Sequence, residues 1–254
     1  MNETIDLNCD LGEIDETPTL ELDSKMLNYV SSINIACGYH AGDRERMRKL
    51  IRFAIPKGIA IGAHPGYPDR EHFGRRSLNF SEQQIKEMVR DQIETLSEIA
   101  IQEGARLHHV KPHGALYNQG AEQKELAHWI AESILETNST LYLVGLSGSC
   151  LLQAGKEVGL KVLSEVFADR QYGRDGKLVD RALPNALIHD ENEGVRRVLS
   201  MIRDSKVESI EGDWIPTQAD TICIHGDSPN AVALAARLCK ALRDNGILVM
   251  PRRT

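Results

Sequence analysis

Short apolar runs alternate along the chain with longer stretches in which apolar residues recur every three or four positions. Continuous apolar runs of this length are typical of strands that are buried on both faces of a parallel sheet. Seven runs fit this description: residues 5–11, 33–37, 60–64, 107–111, 141–146, 162–168 and 221–225. A further run at 247–250 is short and ends at Pro251, so an eighth strand stays an open question.

The stretches between the runs predict amphipathic helices, because their apolar residues fall on one helical face. Asp43 and Ser81 stand at N-cap positions, and Gln84 completes a capping-box pattern with Ser81. The two apolar faces consist of Met47, Leu50, Ile51 and Ala54 after Asp43, and of Ile85, Met88, Val89, Ile93 and Leu96 after Ser81. Similar stripes at 126–134 and 195–202 predict two later helices.

Regular alternation of strand and helix predicts parallel strands joined by right-handed crossovers. No GxGxxG follows the first predicted strand, which counts against a dinucleotide-binding sheet. The chain length of 254 residues suits one barrel of strands and helices. We therefore predict an α/β protein in which residues 1–254 form a single domain, a closed β/α barrel with seven strands.

Charge and composition exclude several classes of function. The 30 basic and 37 acidic residues give a net charge of −7, and the basic residues are dispersed, which argues against a nucleic-acid surface. No apolar run is long enough to span a membrane, and residues 1–10 lack a basic segment followed by an apolar one, so we expect a cytoplasmic protein. The five cysteines contain no CxxC pair and are expected to be reduced thiols.

Polar residues concentrate where the predicted strands end, which is where β/α barrels carry their functional side chains. The residues concerned are Asn8, Asp10 and Glu13, then His40, His64, Lys111 and His113, and finally Glu165, Asp169, Arg170, His225 and Asp227. Carboxylates, imidazoles and cations are costly to bury together without a function. The mouth of the barrel is therefore the predicted active site, and the glycine-rich stretch 170–181 is a loop suited to closing over it.

Simpler interpretations stay open for some of these residues. Asp43 and Asp227 also suit a role as helix caps only, and His109 suits a packed core position. Arg170 would be explained equally by a salt bridge to Asp169 or Glu165. No GxxxxGK[ST] occurs, so any ATP is held unconventionally or by a partner.

Seven sequence motifs resemble those of the LamB/YcsF family over nearly the whole chain. They are DLNCDLGE at 6–13, NIACGYHAGD at 34–43, GAHPGYPD at 62–69, FGRR at 73–76, VKPHGALYN at 110–118, EVFADR at 165–170 and IHGD at 224–227. Two positions depart from the family pattern, with Tyr39 where Phe is common and Gly66 where Ser is common. Neither change removes a titratable group.

The resemblance implies a fold and an activity. Members of this family act as the A subunit of the prokaryotic 5-oxoprolinase, which with B and C subunits opens the lactam of 5-oxoproline to glutamate at the expense of ATP. Their fold resembles the seven-stranded barrel of the glycoside hydrolase and deacetylase superfamily. ATP is then expected to be bound with or by the partner subunits.

The same resemblance implies roles for the residues of the mouth. Lys111 and Arg170 would bind phosphoryl or oxyanion charge, and Asp10 or Glu13 would act as general base. His64, His113 or His225 would transfer a proton to the ring nitrogen. The remaining candidates for substrate or phosphate binding are Asn8, Asn34, His40, Glu165, Asp169 and Asp227.

Two alternatives remain. One is a divalent-metal amidohydrolase or deacetylase in which Asp10, His40 or His64, and His225 provide the ligands. The other is a non-catalytic subunit that only holds the substrate, which the missing phosphate-binding loop favours.

Overall fold

The computed structural model describes residues 3–13, 23–181, 183–225 and 231–252, and parallel strands form its centre. In chain order the strands are β1 (Glu3–Leu11), β2 (Ser32–Ala36), β3 (Ala60–His64), β4 (Leu107–Val110), β5 (Tyr142–Leu146), β6 (Lys161–Phe167), β7 (Lys206–Glu208), β8 (Trp214–Pro216), β9 (Thr221–His225) and β10 (Ile247–Val249). Seven of them, β1 to β6 and β9, pair in parallel and close into a barrel through a pairing between β9 and β1. The predicted seven-stranded β/α barrel is confirmed.

The open question about residues 247–250 is answered by β10, which pairs with β1. It contacts only the first part of β1, from Glu3 to Ile5, whereas β9 pairs with β1 from Asp6 to Asp10. The short strand β10 therefore extends the sheet next to the barrel without widening the closed ring.

Helices surround the barrel and follow the predicted pattern. They are α1 (Arg44–Ala54), α2 (Glu82–Gln102), α3 (Gly114–Glu122), α4 (Lys124–Thr137), α5 (Cys150–Glu157), α6 (Glu191–Arg203) and α7 (Ala231–Asp244). Asp43 caps α1 by accepting from the backbone N–H groups of Glu45 and Arg46, and Ser81 and Gln84 form the expected capping box on α2. No helix within the described ranges is long and apolar enough to cross a membrane.

Apolar and polar residues alternate along the barrel strands, and the two sets have different surroundings. Leu7, Ile33 and Ile222 belong to the main apolar core and are fully buried. Asn8 and Asn34, one position further along their strands, are equally buried but hydrogen-bond to each other across neighbouring strands. Period-two alternation thus directs one set of side chains to the hydrophobic core and the other to a polar network that joins the strands.

The segment after β6 contains structure that the apolar pattern did not predict. Strands β7 and β8 form an antiparallel pair, and the loop 170–181 that precedes them is tied to the barrel by Tyr172. The Tyr172 ring is 1% exposed, and its hydroxyl accepts a hydrogen bond of 2.9 Å from the backbone N–H of Phe167. This loop lies against the mouth of the barrel, as expected.

The five cysteines are all free thiols, as the composition predicts. Cys9, Cys37 and Cys223 are buried, and Cys150 and Cys239 are half-buried. Burial raises the pKa of the Cys37 thiol to about 12, so this thiol stays protonated and unreactive at neutral pH.

Candidate active site

A cavity of about 590 Å³ opens at the C-terminal ends of the barrel strands. Its lining contains most of the candidate residues: Asp10, Glu13, His64, Lys111, His113, Arg170 and His225. Tyr117 and Phe167 contribute aromatic surface, and Arg75 and Arg181 add basic side chains. The strand-end residues are therefore brought together at one place, which the barrel topology explains.

Lys111 connects two buried carboxylates below the cavity. Its Nζ lies 2.9 Å from Oδ1 of Asp10 and 2.9 Å from Oε1 of Glu165. The Cys223 Sγ is a third neighbour at 3.1 Å. Burial alone would lower the pKa of Lys111, but the carboxylates of Asp10 and Glu165 hold it well above its usual value. The ammonium is thus charged and engaged by acceptors of the chain itself, which makes it a counter-ion.

Glu165 is fully buried and its oxygens are satisfied by neighbours. Asn8 Nδ2 donates to Oε1 at 3.0 Å, and the Tyr117 hydroxyl donates to Oε2 at 2.7 Å. Together with Lys111, these groups fix the carboxylate in one orientation. Glu165 is therefore placed to neutralise and position Lys111, whereas a direct contact with substrate would require this network to open.

Asp10 lies at the floor of the cavity and is held by Asn34. Nδ2 of Asn34 donates to Oδ1 of Asp10 at 2.7 Å, while Oδ1 of Asn34 faces Nε2 of His109 at 2.7 Å. Burial would raise the pKa of Asp10, but His64 and Lys111 lower it below its usual value. Asp10 is therefore an ionised, oriented carboxylate at neutral pH. His109, which also suited an ordinary core role, belongs to this polar network.

Glu13 and three imidazoles form a second cluster beside Asp10. Oε1 of Glu13 lies 2.8 Å from Nδ1 of His113, 3.3 Å from Nε2 of His40 and 3.5 Å from Nε2 of His64. His40 stacks on His113 with ring centroids 3.8 Å apart. Burial lowers the pKa of His64 to about 3 and that of His40 to about 4, so both rings are neutral at pH 7.

His225 and Asp169 form a pair at the other side of the site. Nδ1 of His225 lies 2.9 Å from Oδ2 of Asp169, and the ring stacks on Phe167. Burial would raise the pKa of Asp169, but His225 lowers it, so the carboxylate is ionised. In the register of the barrel, His225 on β9 stands opposite Asp10 on β1. Asp227 lies outside the described residues.

Arg170 is a buried cation at the cavity wall. Its side chain is 6% exposed, and one Nη donates to the backbone carbonyl of Val179 at 2.6 Å. Among the described residues it pairs with neither Asp169 nor Glu165, and its Nε has no hydrogen-bond partner there. Burial and the neighbouring Arg181 lower its pKa. A buried guanidinium with a donor to spare suits an anionic ligand group.

The residues that the sequence offered as metal ligands do not all lie in one cluster. His64 lies with Glu13 and His113, and Asp10 and His225 lie with Cys223; within each group the ligand atoms are within 4.8 Å of one another. His40 belongs to neither group and contacts Glu13 with Nε2. A metal in this site stays a prediction, and two clusters among the described residues have a ligand set that could hold an ion.

The family model for the LamB/YcsF family matches residues 5–254. The chain belongs to the LamB/YcsF family. A relative from Geobacillus kaustophilus, named as the A subunit of 5-oxoprolinase, is 49% identical over 251 residues, covering 98% of each chain. A relative of the same name from Tolumonas auensis is 47% identical over 243 residues, covering 96% of this chain and 97% of its own.

Solved structures agree with this membership. The crystal structure of a lactam utilization protein from Thermus thermophilus has a TM-score of 0.91 and 39% identity, covering 98% of this chain and 100% of that one. A T48 deacetylase with substrate has a TM-score of 0.50 and 15% identity, covering 98% of this chain and 88% of its own, which shows a likeness of fold alone. The predicted deacetylase-like barrel is thus confirmed as a fold.

The LamB/YcsF motifs converge on the cavity, and they contain groups that were not singled out as site residues. The backbone carbonyl of Phe73, in FGRR, accepts from Nε2 of His113 at 2.8 Å. Tyr117, in VKPHGALYN, binds Glu165, and Thr221, which lies outside the motifs, accepts through Oγ1 from Asn8 Nδ2 at 2.7 Å. The sequence indicated a role for Phe73 and Tyr117 in the site only through their positions within the quoted motifs.

Proposed function

We propose that this chain catalyses opening of the lactam ring of 5-oxoproline to L-glutamate, as the A subunit of an ATP-dependent 5-oxoprolinase. The names of its close relatives support the substrate class. The geometric support is the pair of carboxylates at the cavity floor, Asp10 and Glu13, each 3.5 Å from Nε2 of the neutral His64. This arrangement places two carboxylate bases at one closed end of the cavity.

The chemistry requires water to add to the lactam carbonyl carbon, the C–N bond to break and the ring nitrogen to take up a proton. Asp10 is ionised and fixed by Asn34 and Lys111, so it suits the role of the base that activates water. His225 lines the cavity opposite Asp10, with Nδ1 held by Asp169, and suits proton transfer to the departing nitrogen. Lys111 would then position Asp10, instead of binding the phosphoryl group directly.

Substrate orientation would come from the basic side of the cavity. The carboxylate of 5-oxoproline matches the guanidinium of Arg170, whose Nε is buried without a partner in the described chain. With the carboxylate there, the lactam amide would face Asp10 and Glu13 at the floor. The aromatic rings of Tyr117 and Phe167 would contact the apolar ring carbons.

ATP coupling belongs to the same proposal. The reaction begins with phosphoryl transfer from ATP to the lactam oxygen, followed by addition of water and cleavage of the C–N bond. A second water then hydrolyses the resulting acyl phosphate. The sum of these steps is glutamate, ADP and phosphate from 5-oxoproline, ATP and two waters. The chain has no GxxxxGK[ST] motif, so binding of ATP with or by B and C subunits is the arrangement we propose. The cavity of about 590 Å³ leaves room beside a small lactam for a phosphoryl group.

The test is glutamate release from 5-oxoproline and ATP, with the chain alone and with B and C subunits from the same source. Activity in the mixture alone is expected, and it should be lost in an Asp10→Asn variant that keeps the wild-type circular dichroism spectrum. Glutamate formation without ATP would contradict the coupling. An assembled mixture that releases no glutamate would refute the activity, and an Asp10→Asn variant that raises KM without lowering kcat would favour a substrate-holding subunit.

A further inference from the structure

We infer that Glu13, His64 and His113 bind one divalent transition-metal ion of the zinc type at the floor of the cavity. The inference goes beyond the proposed function, because metal binding is measured without lactam, ATP or partner subunits. It rests on the direction of the lone pairs in this cluster, which follows from hydrogen bonds to backbone carbonyls.

Two carbonyls determine which ring nitrogens carry hydrogen. Nδ1 of His64 lies 2.6 Å from the carbonyl oxygen of Lys111, and Nε2 of His113 lies 2.8 Å from the carbonyl oxygen of Phe73. A carbonyl oxygen only accepts, so each of these nitrogens is a donor. The other nitrogens, Nε2 of His64 and Nδ1 of His113, are not needed for these two hydrogen bonds and are available to bind a cation with their lone pairs.

These lone pairs face each other and the Glu13 carboxylate. Nε2 of His64 and Nδ1 of His113 are 3.0 Å apart, and Oε1 of Glu13 lies 2.8 Å from the His113 atom and 3.5 Å from the His64 atom. These three atoms converge on one point. A proton on Nδ1 of His113 could be donated either to Glu13 or to His64, but not fully to both. A cation at the centre satisfies all three.

The distances suit a metal of zinc size. Ligand bonds of about 2.0–2.1 Å in a tetrahedral site place ligand atoms about 3.3 Å apart. The three separations in this cluster, 2.8, 3.0 and 3.5 Å, lie on both sides of that value. Two imidazoles, one carboxylate and one open position form a known class of zinc site.

The backbone around His113 is shaped to hold the second nitrogen of the ring. Phe73 has a φ of 56°, in the left-handed region that aromatic residues avoid, and its carbonyl is the one that His113 contacts. Gly74 follows with a φ of 63°, and a Cβ there would lie 2.8 Å from Cβ of His40. Metal-binding histidines nearly always donate their second N–H to a carbonyl or carboxylate, as both rings do.

His40 and Asp10 complete the surroundings of the site. The His40 ring stacks on His113, and its Nε2 lies 3.3 Å from Glu13, which holds the carboxylate towards the cluster. Oδ2 of Asp10 lies 3.5 Å from Nε2 of His64 on the cavity side. The fourth coordination position of the metal, which no side chain of the cluster fills, would therefore face the cavity next to the Asp10 carboxylate.

The test is equilibrium binding of Zn²⁺ to chelator-treated full-length protein, by titration calorimetry and by elemental analysis after gel filtration. We expect one equivalent, and a visible absorption spectrum of low-symmetry four- or five-coordinate Co²⁺ when Co²⁺ replaces Zn²⁺. His113→Gln and Glu13→Gln should each weaken binding by about 100-fold or more, because even loss of a residue behind a ligand costs about 10–100-fold. His128→Gln, at a half-buried histidine of α4 that contacts Glu157 and does not line the cavity, is the matched control and should bind as the wild type does.

Two further measurements keep the inference falsifiable. The thermal midpoint of the wild type should rise with Zn²⁺, whereas that of folded His113→Gln should not. His225→Gln separates this cluster from the group of Asp10, Cys223 and His225, and it should retain Zn²⁺. Three results would each overturn the assignment. The first is the absence of stoichiometric metal, and the second is unchanged binding in His113→Gln. The third is loss of binding in His225→Gln while His113→Gln retains the metal.

Discussion

Replacing Lys111 with methionine tests whether this residue is the counter-ion of the barrel interior. The ammonium lies 2.9 Å from the carboxylates of both Asp10 and Glu165, and the side chain is 3% exposed. Methionine has a similar length but provides neither charge nor donors. Lys111→Met would therefore leave two buried carboxylates facing the same apolar group.

The expected loss is large because one partner of a buried ion network is removed. Breaking a buried pair in this way costs about 3–5 kcal/mol, against a total unfolding free energy of about 5–15 kcal/mol for a typical domain. Adding Glu165→Gln removes one of the two uncompensated charges and keeps an oxygen that accepts from Asn8 or Tyr117. The double variant should recover about 2 kcal/mol, within the range measured for contacting residues.

The assay is urea unfolding followed by circular dichroism and by the fluorescence of the two tryptophans. The four proteins of the cycle are compared with Lys156→Met, an exposed lysine of α5, which should lie within about 0.5 kcal/mol of the wild type. A role as phosphoryl ligand gives no reason for Glu165→Gln to restore stability to Lys111→Met. A Lys111→Met protein within about 1 kcal/mol of the wild type, or a double variant no more stable than Lys111→Met, would refute the counter-ion interpretation.

Three further predictions follow from single features of the structure. Burial raises the pKa of Asp23 from 3.8 to about 6, so the contribution of this carboxyl to stability is present below pH 4 and is lost as the pH rises through 6. The Asp23→Asn variant should therefore be more stable than the wild type by up to about 3 kcal/mol at pH 8. Thermal melts should show this difference in stability vanishing towards pH 4. Arg170→Lys should raise KM for 5-oxoproline about 10–100-fold in the complete complex, because a guanidinium–carboxylate contact is worth about 1.5–3 kcal/mol, and a fall in kcat at constant KM would contradict this. Gly62→Ala would place a Cβ 2.1 Å from Nε2 of His109, so urea unfolding should show a loss of about 2 kcal/mol or more; wild-type stability would mean that the ring has another position.

The fold was predictable because the barrel strands are buried over most of their length. Residues 60–64 and 221–225 were predicted with the bounds that β3 and β9 have, and the other barrel strands differ by one or two residues at an end. Asp43 and Ser81 located the starts of α1 and α2, since capping requires side-chain oxygens at those positions. Strands β7 and β8 escaped prediction because three residues are too few for a period to appear.

The site was predictable in its members but not in its pairings. Asp10, Lys111 and Glu165 were predicted as site residues from their positions near strand ends. Only the register of the barrel shows that the lysine lies between the two carboxylates. The sequence groups His113 with Lys111 where a strand ends, and the structure puts it after the strand, at the N-cap of α3, where it reaches His64. Every residue has a backbone carbonyl, so contacts through one, such as that of Phe73, do not depend on the type of side chain and cannot be predicted from the sequence.

The distribution of charge in the cavity explains why the interior network and the mouth must be considered together. Lys111 offsets one of its two carboxylate neighbours, so the floor that includes Asp10 and Glu13 stays negative overall, while Arg170 makes the wall positive. A substrate with one carboxylate and one neutral amide is oriented by such a gradient, with the anion at Arg170 and the amide at the floor. A cation at Glu13 would reduce the negative charge where carbonyl oxygen charge develops, and it would leave the orientation at Arg170 unchanged.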